Sequence, residues 1–155
     1  MVAREEGGFV FSQTTEYALR AALALAAADN KPVTTREIAS TMKVPPSYLA
    51  KVMQALMRSG VVHSLRGVKG GFLLQKKPSQ LSLLEIVNAV APFPRIDECP
   101  LGLDHNGGGL CGLHSHLAGV WRRLENDLAE TTLGEILARD RQVPSLQERL
   151  ISPES

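Results

Sequence analysis

Residues 34–74 read TTREIASTMKVPPSYLAKVMQALMRSGVVHSLRGVKGGFLL, and their pattern decides the fold. Thr34 is followed three residues later by Glu37, the pair that caps a helix start. Ile38 and Met42 then share one helical face. Val44, Pro45 and Pro46 break that helix, because proline lacks an N–H and disfavours helical geometry just before it. A second helix is expected from about Ser47, with Leu49, Val52, Met53 and Leu56 as its apolar stripe. Ser59 and Gly60 end it. Residues 61–65 and 72–74 read as two strands, joined by Arg66-Gly67-Val68-Lys69-Gly70-Gly71. Helix, turn, helix and a hairpin with a cationic tip make a winged helix-turn-helix. Ser47, Tyr48 and Lys51 occupy early positions of the second helix, where side chains can reach base edges in a major groove. Arg66 and Lys69 at the wing tip suit the phosphate backbone or a narrow minor groove.

Outward from this stretch, residues 12–28 read as a first helix. Tyr17, Ala21, Leu23, Ala24 and Ala27 are its expected buried side, and Glu16 and Arg20 stand four apart as a candidate surface pair. Ser82 and Glu85 form a second capping box before a short apolar helix of Leu83, Leu84, Ile86, Val87 and Val90, stopped by Pro92 and Pro94. Residues 113–128 return to helical spacing, with Leu117, Val120, Trp121, Leu124 and Leu128 in line. An antiparallel copy from a second subunit is the natural cover for this stripe, since two-fold dimers match two half-sites on DNA; folding back on its own domain is the alternative. Thr132 and Glu135 cap a last short helix. The expected division is 11–78 for the winged DNA-binding domain, 79–96 for a connecting helix and 97–113 for a cysteine-containing loop. Residues 114–140 hold the dimerisation helix and a C-terminal helix, and 141–155 a polar tail. The fold class is mainly α, with a small β-hairpin wing and a long C-terminal dimerisation helix.

Composition narrows the function classes. Across 155 residues, 17 Lys and Arg meet 16 Asp and Glu, a net charge of +1 that argues for a local basic patch rather than polybasic binding. Aromatic residues are only 5%, too few for a platform that stacks single-stranded bases. No apolar run approaches the roughly 20 residues that span a bilayer, and the start lacks a secretion signal. The expectation is a soluble cytoplasmic protein that binds double-stranded operator DNA and no membrane. In that compartment, two cysteines point to metal ligation or redox chemistry before a structural disulfide.

Both cysteines lie in the glycine-rich run 96–113, IDECPLGLDHNGGGLCGL. Cys99 and Cys111 are twelve positions apart, with His105 midway. His114 follows Cys111 by three, and His116 by five. This is not the close cysteine pair of a zinc knuckle. Wide spacing suits ligands that wrap an object larger than one ion, and thiolate and imidazole both ligate zinc or iron–sulfur clusters. A thiol pair that forms a disulfide, and two cysteines without a special role, are the other readings of the spacing. An enzyme is disfavoured: Asp97, Glu98 and Asp104 are near the loop but form no clear acid–base pair.

Three runs resemble the Rrf-type winged-helix regulators: Thr15-Glu16-Tyr17-Ala18-Leu19-Arg20, Ser47-Tyr48-Leu49, and residues 65–74, LRGVKGGFLL. The resemblance covers about residues 11–137 and implies a homodimeric bacterial transcription regulator, not an enzyme, with a long helix crossing between subunits. Cluster-binding relatives carry three cysteines in the loop, and this chain has His105 at the middle position. The resemblance therefore implies a cluster, 2Fe–2S before 4Fe–4S, held by Cys99, Cys111, one of His105 and His114, and Glu16 from the partner subunit. Glu16 matches an acidic ligand of some relatives; Arg20 stands where one relative has a histidine. The implied function is sensing of redox, nitric oxide or iron–sulfur status. The alternative is a cluster-free regulator that senses thiol and disulfide through Cys99 and Cys111. Pro45 stands where relatives often have a polar residue, so the operator sequence does not carry over.

Overall fold

The computed structural model describes residues 11–93, 95–97, 99 and 109–140. The expectations for residues 1–10, His105, Glu98, Asp104 and 141–155 lie outside the described residues. The helices start where side chains can hold the orphan N–H groups of a first turn. Helix α1 (Gln13–Ala27) begins at Ser12, whose Oγ accepts from the Thr15 N–H at 3.2 Å. Helices α2 (Thr35–Met42) and α4 (Leu83–Val90) both begin with complete capping boxes, Thr34 with Glu37 and Ser82 with Glu85. Such a cap is worth about 1 kcal/mol. Helix α3 (Pro46–Arg58) starts differently. Pro45 occupies its cap without a side-chain hydrogen bond, and Pro46 takes the first helical position, where no N–H is needed. Lys43 closes α2 in the left-handed region (φ 53°, ψ 47°), which turns the chain sharply into α3.

One core serves most of these elements. Ala18, Ala21 and Ala22 of α1 are fully buried, so Ile38 of α2 and Leu49, Val52, Met53 and Leu56 of α3 can pack closely on it. The expected buried side of α1 is shifted slightly. Ala21 and Ala24 are buried, but Tyr17, Leu23 and Ala27 are only half-buried, and Ala18, Ala22 and Leu25 carry the deep contact. Positions 18, 22 and 25 follow the 3.6-residue repeat more closely than 23 and 27 do. The same cluster takes in Leu81, Ile86 of α4, and Leu133 and Leu137 of the last helix, α6 (Leu133–Asp140).

Strand β1 (Val62–Leu65) pairs antiparallel with β2 (Gly71–Leu74), with Val62 opposite Leu74 and Leu65 opposite Gly71. Val33, just before α2, bridges Phe72 through two backbone hydrogen bonds of 3.1 and 2.8 Å. A Cβ at Gly71 would stand 2.8 Å from the Val33 backbone, so glycine permits this anchoring of the wing.

The helix expected within 79–96 occupies Leu83–Val90, preceded by a 3-10 turn at Pro78–Gln80. Helix α5 (Gly112–Glu130) packs against α4 and buries Leu128. Its Trp121 ring lies 5.3 Å from Phe93, which lies 6.1 Å from Phe11 at the start of α1. The other end of its stripe stays open: Leu113, Leu117 and Val120 are 62%, 38% and 41% exposed. Helix α6 then returns to α1 and the 3-10 turn, with the Leu133 N–H donating to the Leu81 carbonyl at 2.8 Å. Among the described residues no helix is long and apolar enough to cross a membrane.

Candidate metal centre and nucleic-acid interface

Helix α3 buries its apolar stripe and thereby turns Ser47 and Lys51 to solvent. Gln54 and Arg58, which the sequence reading did not single out, continue that exposed face at helical spacing. Tyr48 is placed otherwise. It is half-buried, its hydroxyl hydrogen-bonds Thr14 Oγ1 of α1 at 2.6 Å, and its ring meets Tyr17 edge-on at 5.4 Å. Tyr48 therefore fixes α3 on α1. No sequence pattern announces the Thr14 contact, because the two residues are 34 positions apart. Arg66 and Lys69 are both exposed at the end of the hairpin. Arg66 precedes, and Lys69 sits within, a glycine-framed turn in which the Gly70 N–H donates to the Gly67 carbonyl at 2.9 Å, with Gly67 at φ 112°. The arrangement offers a helix face and a cationic tip on one module, as a groove-reading protein needs.

The second site forms where α5 begins. Cys111 is the N-cap of α5 and His114 is in its first turn, so a separation of three puts both on one side of the helix. His114 Nδ1 lies 3.0 Å from Cys111 Sγ and 3.6 Å from Cys99 Sγ. The two sulfurs and the imidazole nitrogen all lie within 4.8 Å of one another, and all three residues are half-buried. The cysteines are not joined in a disulfide. Metal–thiolate bonds of about 2.3 Å and metal–imidazole bonds of about 2.0 Å put ligands of one centre about 3.5–4 Å apart. The observed spacing is near that range, so the three donors fit as part of a metal or iron–sulfur ligand set.

Glu16 is not in this group. It lies on α1, where its Oε1 pairs with Arg20 at 2.8 Å, the expected i, i+4 pair. Arg20 also donates to the Met42 carbonyl at the end of α2 at 3.3 Å and stands 5.9 Å over the Tyr17 ring. Within one chain the structure thus unites Cys99, Cys111 and His114, and holds Glu16 apart.

Known proteins agree with this architecture. A profile of the Rrf2 family, described as iron-dependent transcriptional regulators, matches residues 11–139. The HTH-type transcriptional regulator IscR of Klebsiella pneumoniae is 31% identical over 122 residues, 78% of this chain and 75% of its own. A putative HTH-type transcriptional regulator of Aquifex aeolicus is 38% identical over 92 residues, and the match spans 64% of that protein's length. A second, slr0846 of Synechocystis, is 37% identical with 58% of its length spanned. Among solved structures, IscR of T. potens superposes with a TM-score of 0.72 at 24% identity, covering 87% of this chain and 90% of that one. CymR, the global cysteine regulator of B. subtilis, gives 0.71 at 21% identity, covering 85% and 98%. These relatives are named as transcriptional regulators and not as enzymes, and the chain belongs to the Rrf2 family of transcriptional regulators.

Proposed function

We propose that this chain is a cytoplasmic, homodimeric regulator that binds double-stranded operator DNA and reports redox, nitric oxide or iron–sulfur status through a 2Fe–2S cluster. The observation that carries this reading is the convergence of Cys99, Cys111 and His114 within 4.8 Å at the start of α5. Each iron of a two-iron cluster takes two protein ligands, so three donors call for a fourth. Glu16 of a second subunit supplies it. His105 is the alternative imidazole, and His114 is favoured by its distance to both sulfurs. When bound, the cluster supplies reversible one-electron chemistry, with a potential that imidazole ligation raises.

The chain's own residues connect this site to DNA. Glu16 must leave Arg20 to ligate, and Arg20 holds the end of α2 through Met42. Cys111 and His114 sit on α5, whose Trp121 touches Phe93 and through it Phe11, next to the cap of α1. Helix α1 in turn grips α3 at Tyr48. A shift at the ligands thus has packed routes to the helix that carries Ser47 and Lys51, while Arg66 and Lys69 hold the backbone. A coupling of about 1–3 kcal/mol along such a route changes DNA affinity about 5–150-fold.

The test is the affinity of anaerobically purified protein for an operator selected from random DNA, before and after iron removal. At least a fivefold change is expected, abolished by His114→Ala. Equal affinities would overturn the sensing role. A second reading, a thiol sensor, draws support from the sulfur proximity and from similarity to CymR of Staphylococcus aureus, for which a structure of the oxidized form is known. Its step is oxidation of both thiols by hydrogen peroxide, breaking the O–O bond, forming one S–S bond and releasing two waters. Loss of two titratable thiols on peroxide treatment of iron-free protein is its expected sign.

A further inference from the structure

We propose that Val68 is a DNA-contacting residue, an apolar tip that packs on the deoxyribose walls of a narrow, A·T-rich minor groove. The inference rests on the DNA-binding reading above and adds to it a contact of a different kind. Scattered apolar side chains on a protein surface are ordinary. Val68 differs in place and degree. At 107% it is more exposed than any other large hydrophobic residue noted on the described surface, and nothing in the fold uses it. The Gly70 N–H to Gly67 carbonyl bond defines a four-residue turn whose two corners are Val68 and Lys69. Turn corners favour proline, glycine, asparagine, aspartate and serine, because these hold the turn geometry or bond the backbone. A β-branched valine gives the turn neither advantage.

The neighbours indicate the surface it meets. Arg66 and Lys69 stand on either side of it, both exposed, with no carboxylate partner among the described ion pairs. Cations flanking one apolar side chain match a groove with phosphates at its rims and sugar C–H groups on its walls. The minor groove is about 6 Å wide and narrower still in A-tracts, which admits a single side chain on a tight turn but not a helix. Apolar side chains seated in minor grooves are an established mode of contact. The wing is also held firmly enough to deliver the tip, since Val33 ties β2 to the segment before α2.

The experiment measures binding of the full-length dimer to an operator selected from random-sequence DNA by the wild-type protein, across a salt series. Val68→Ser removes the methyl groups and cannot disturb the core, because Val68 is outside it. It is expected to weaken binding about tenfold, as loss of one buried valine side chain implies, with an unchanged slope of log affinity against log salt. Arg66→Ala should instead flatten that slope by about 0.9, one phosphate's worth. Replacing A·T by G·C pairs under the wing should cost the wild type more than Val68→Ser. Val68→Ser binding within twofold of wild type would overturn the proposal, and so would a slope change equal to that of Arg66→Ala. If the wild type selects no DNA while Rrf2-type folding is intact, the DNA-binding reading itself fails and the Val68 contact fails with it.

Discussion

Leu56 of α3 and Leu117 of α5 sit on apolar stripes of similar spacing, yet Leu56 is fully buried and Leu117 is 38% exposed. The winged half of the chain is closed within one subunit, with α4 and α6 completing its core. Helices α1 and α2 are capped by neighbouring side chains, its hairpin is tied to Val33, and the α3 stripe meets α1, α2 and α4. The cysteine half is only partly closed. Its helix buries Leu128 at one end and leaves Leu113, Leu117 and Val120 open at the other, beside three convergent metal-type donors. A half that is closed within one subunit sets stability. If a second subunit and a bound group complete this half, as proposed, it can answer to both.

Substitutions in the two stripes break this comparison most sharply. Leu56→Ala should lower unfolding free energy by about 2–5 kcal/mol in chemical denaturation, the cost of a cavity in a packed core. Leu117→Asp should leave the helix content unchanged but weaken the dimer at least tenfold in sedimentation, roughly 1.4 kcal/mol. A wild type that is monomeric at micromolar concentration would show that the open face of α5 serves something other than a second copy. Thr34→Ala, which removes one member of a capping box, should cost about 1 kcal/mol and leave iron content untouched. That would separate the stability of the winged half from the chemistry of the other.

The smallest effect is pH dependence. Hydrogen bonds from the Thr34 hydroxyl and N–H hold the Glu37 carboxyl below its ordinary range, and Lys76 does the same for Glu85, with the Ser82 cap adding to it. Both groups release protons more readily folded than unfolded. Their contribution is therefore fully present above the unfolded value near pH 4.3 and is lost as pH falls through the lower folded values. Both carboxylates are largely exposed, so solvent screening limits the gain to a few tenths of a kcal/mol each. Acid titration of Glu37→Gln should show a correspondingly shallower loss of stability below pH 4.5.

Local rules made the winged half legible in the sequence. Thr34 with Glu37, Ser82 with Glu85 and Thr132 with Glu135 mark helix starts because each exchange closes within four residues. The hairpin was legible because Gly67 and Gly70 frame its turn. Contacts that depend on distant segments were not. The Val33 bridge, the Thr14–Tyr48 hydrogen bond and the return of α6 to the core carry no periodic signature, because their partners lie far along the chain. The candidate site divides in the same way. His114 with Cys111 follows from helix spacing, and Glu16 with Arg20 likewise. That Cys99 folds back to the same point depends on the course of the loop between them, which spacing alone leaves open.

The most direct measurement is an absorption spectrum of anaerobically purified protein, with iron and sulfide assayed on the same sample. The account predicts visible absorption and about two irons and two sulfides per subunit, both reduced by Cys99→Ala, Cys111→Ala and His114→Ala. A colourless, iron-free protein that also resists reconstitution would contradict it, and would leave Cys99 and Cys111 as a thiol pair.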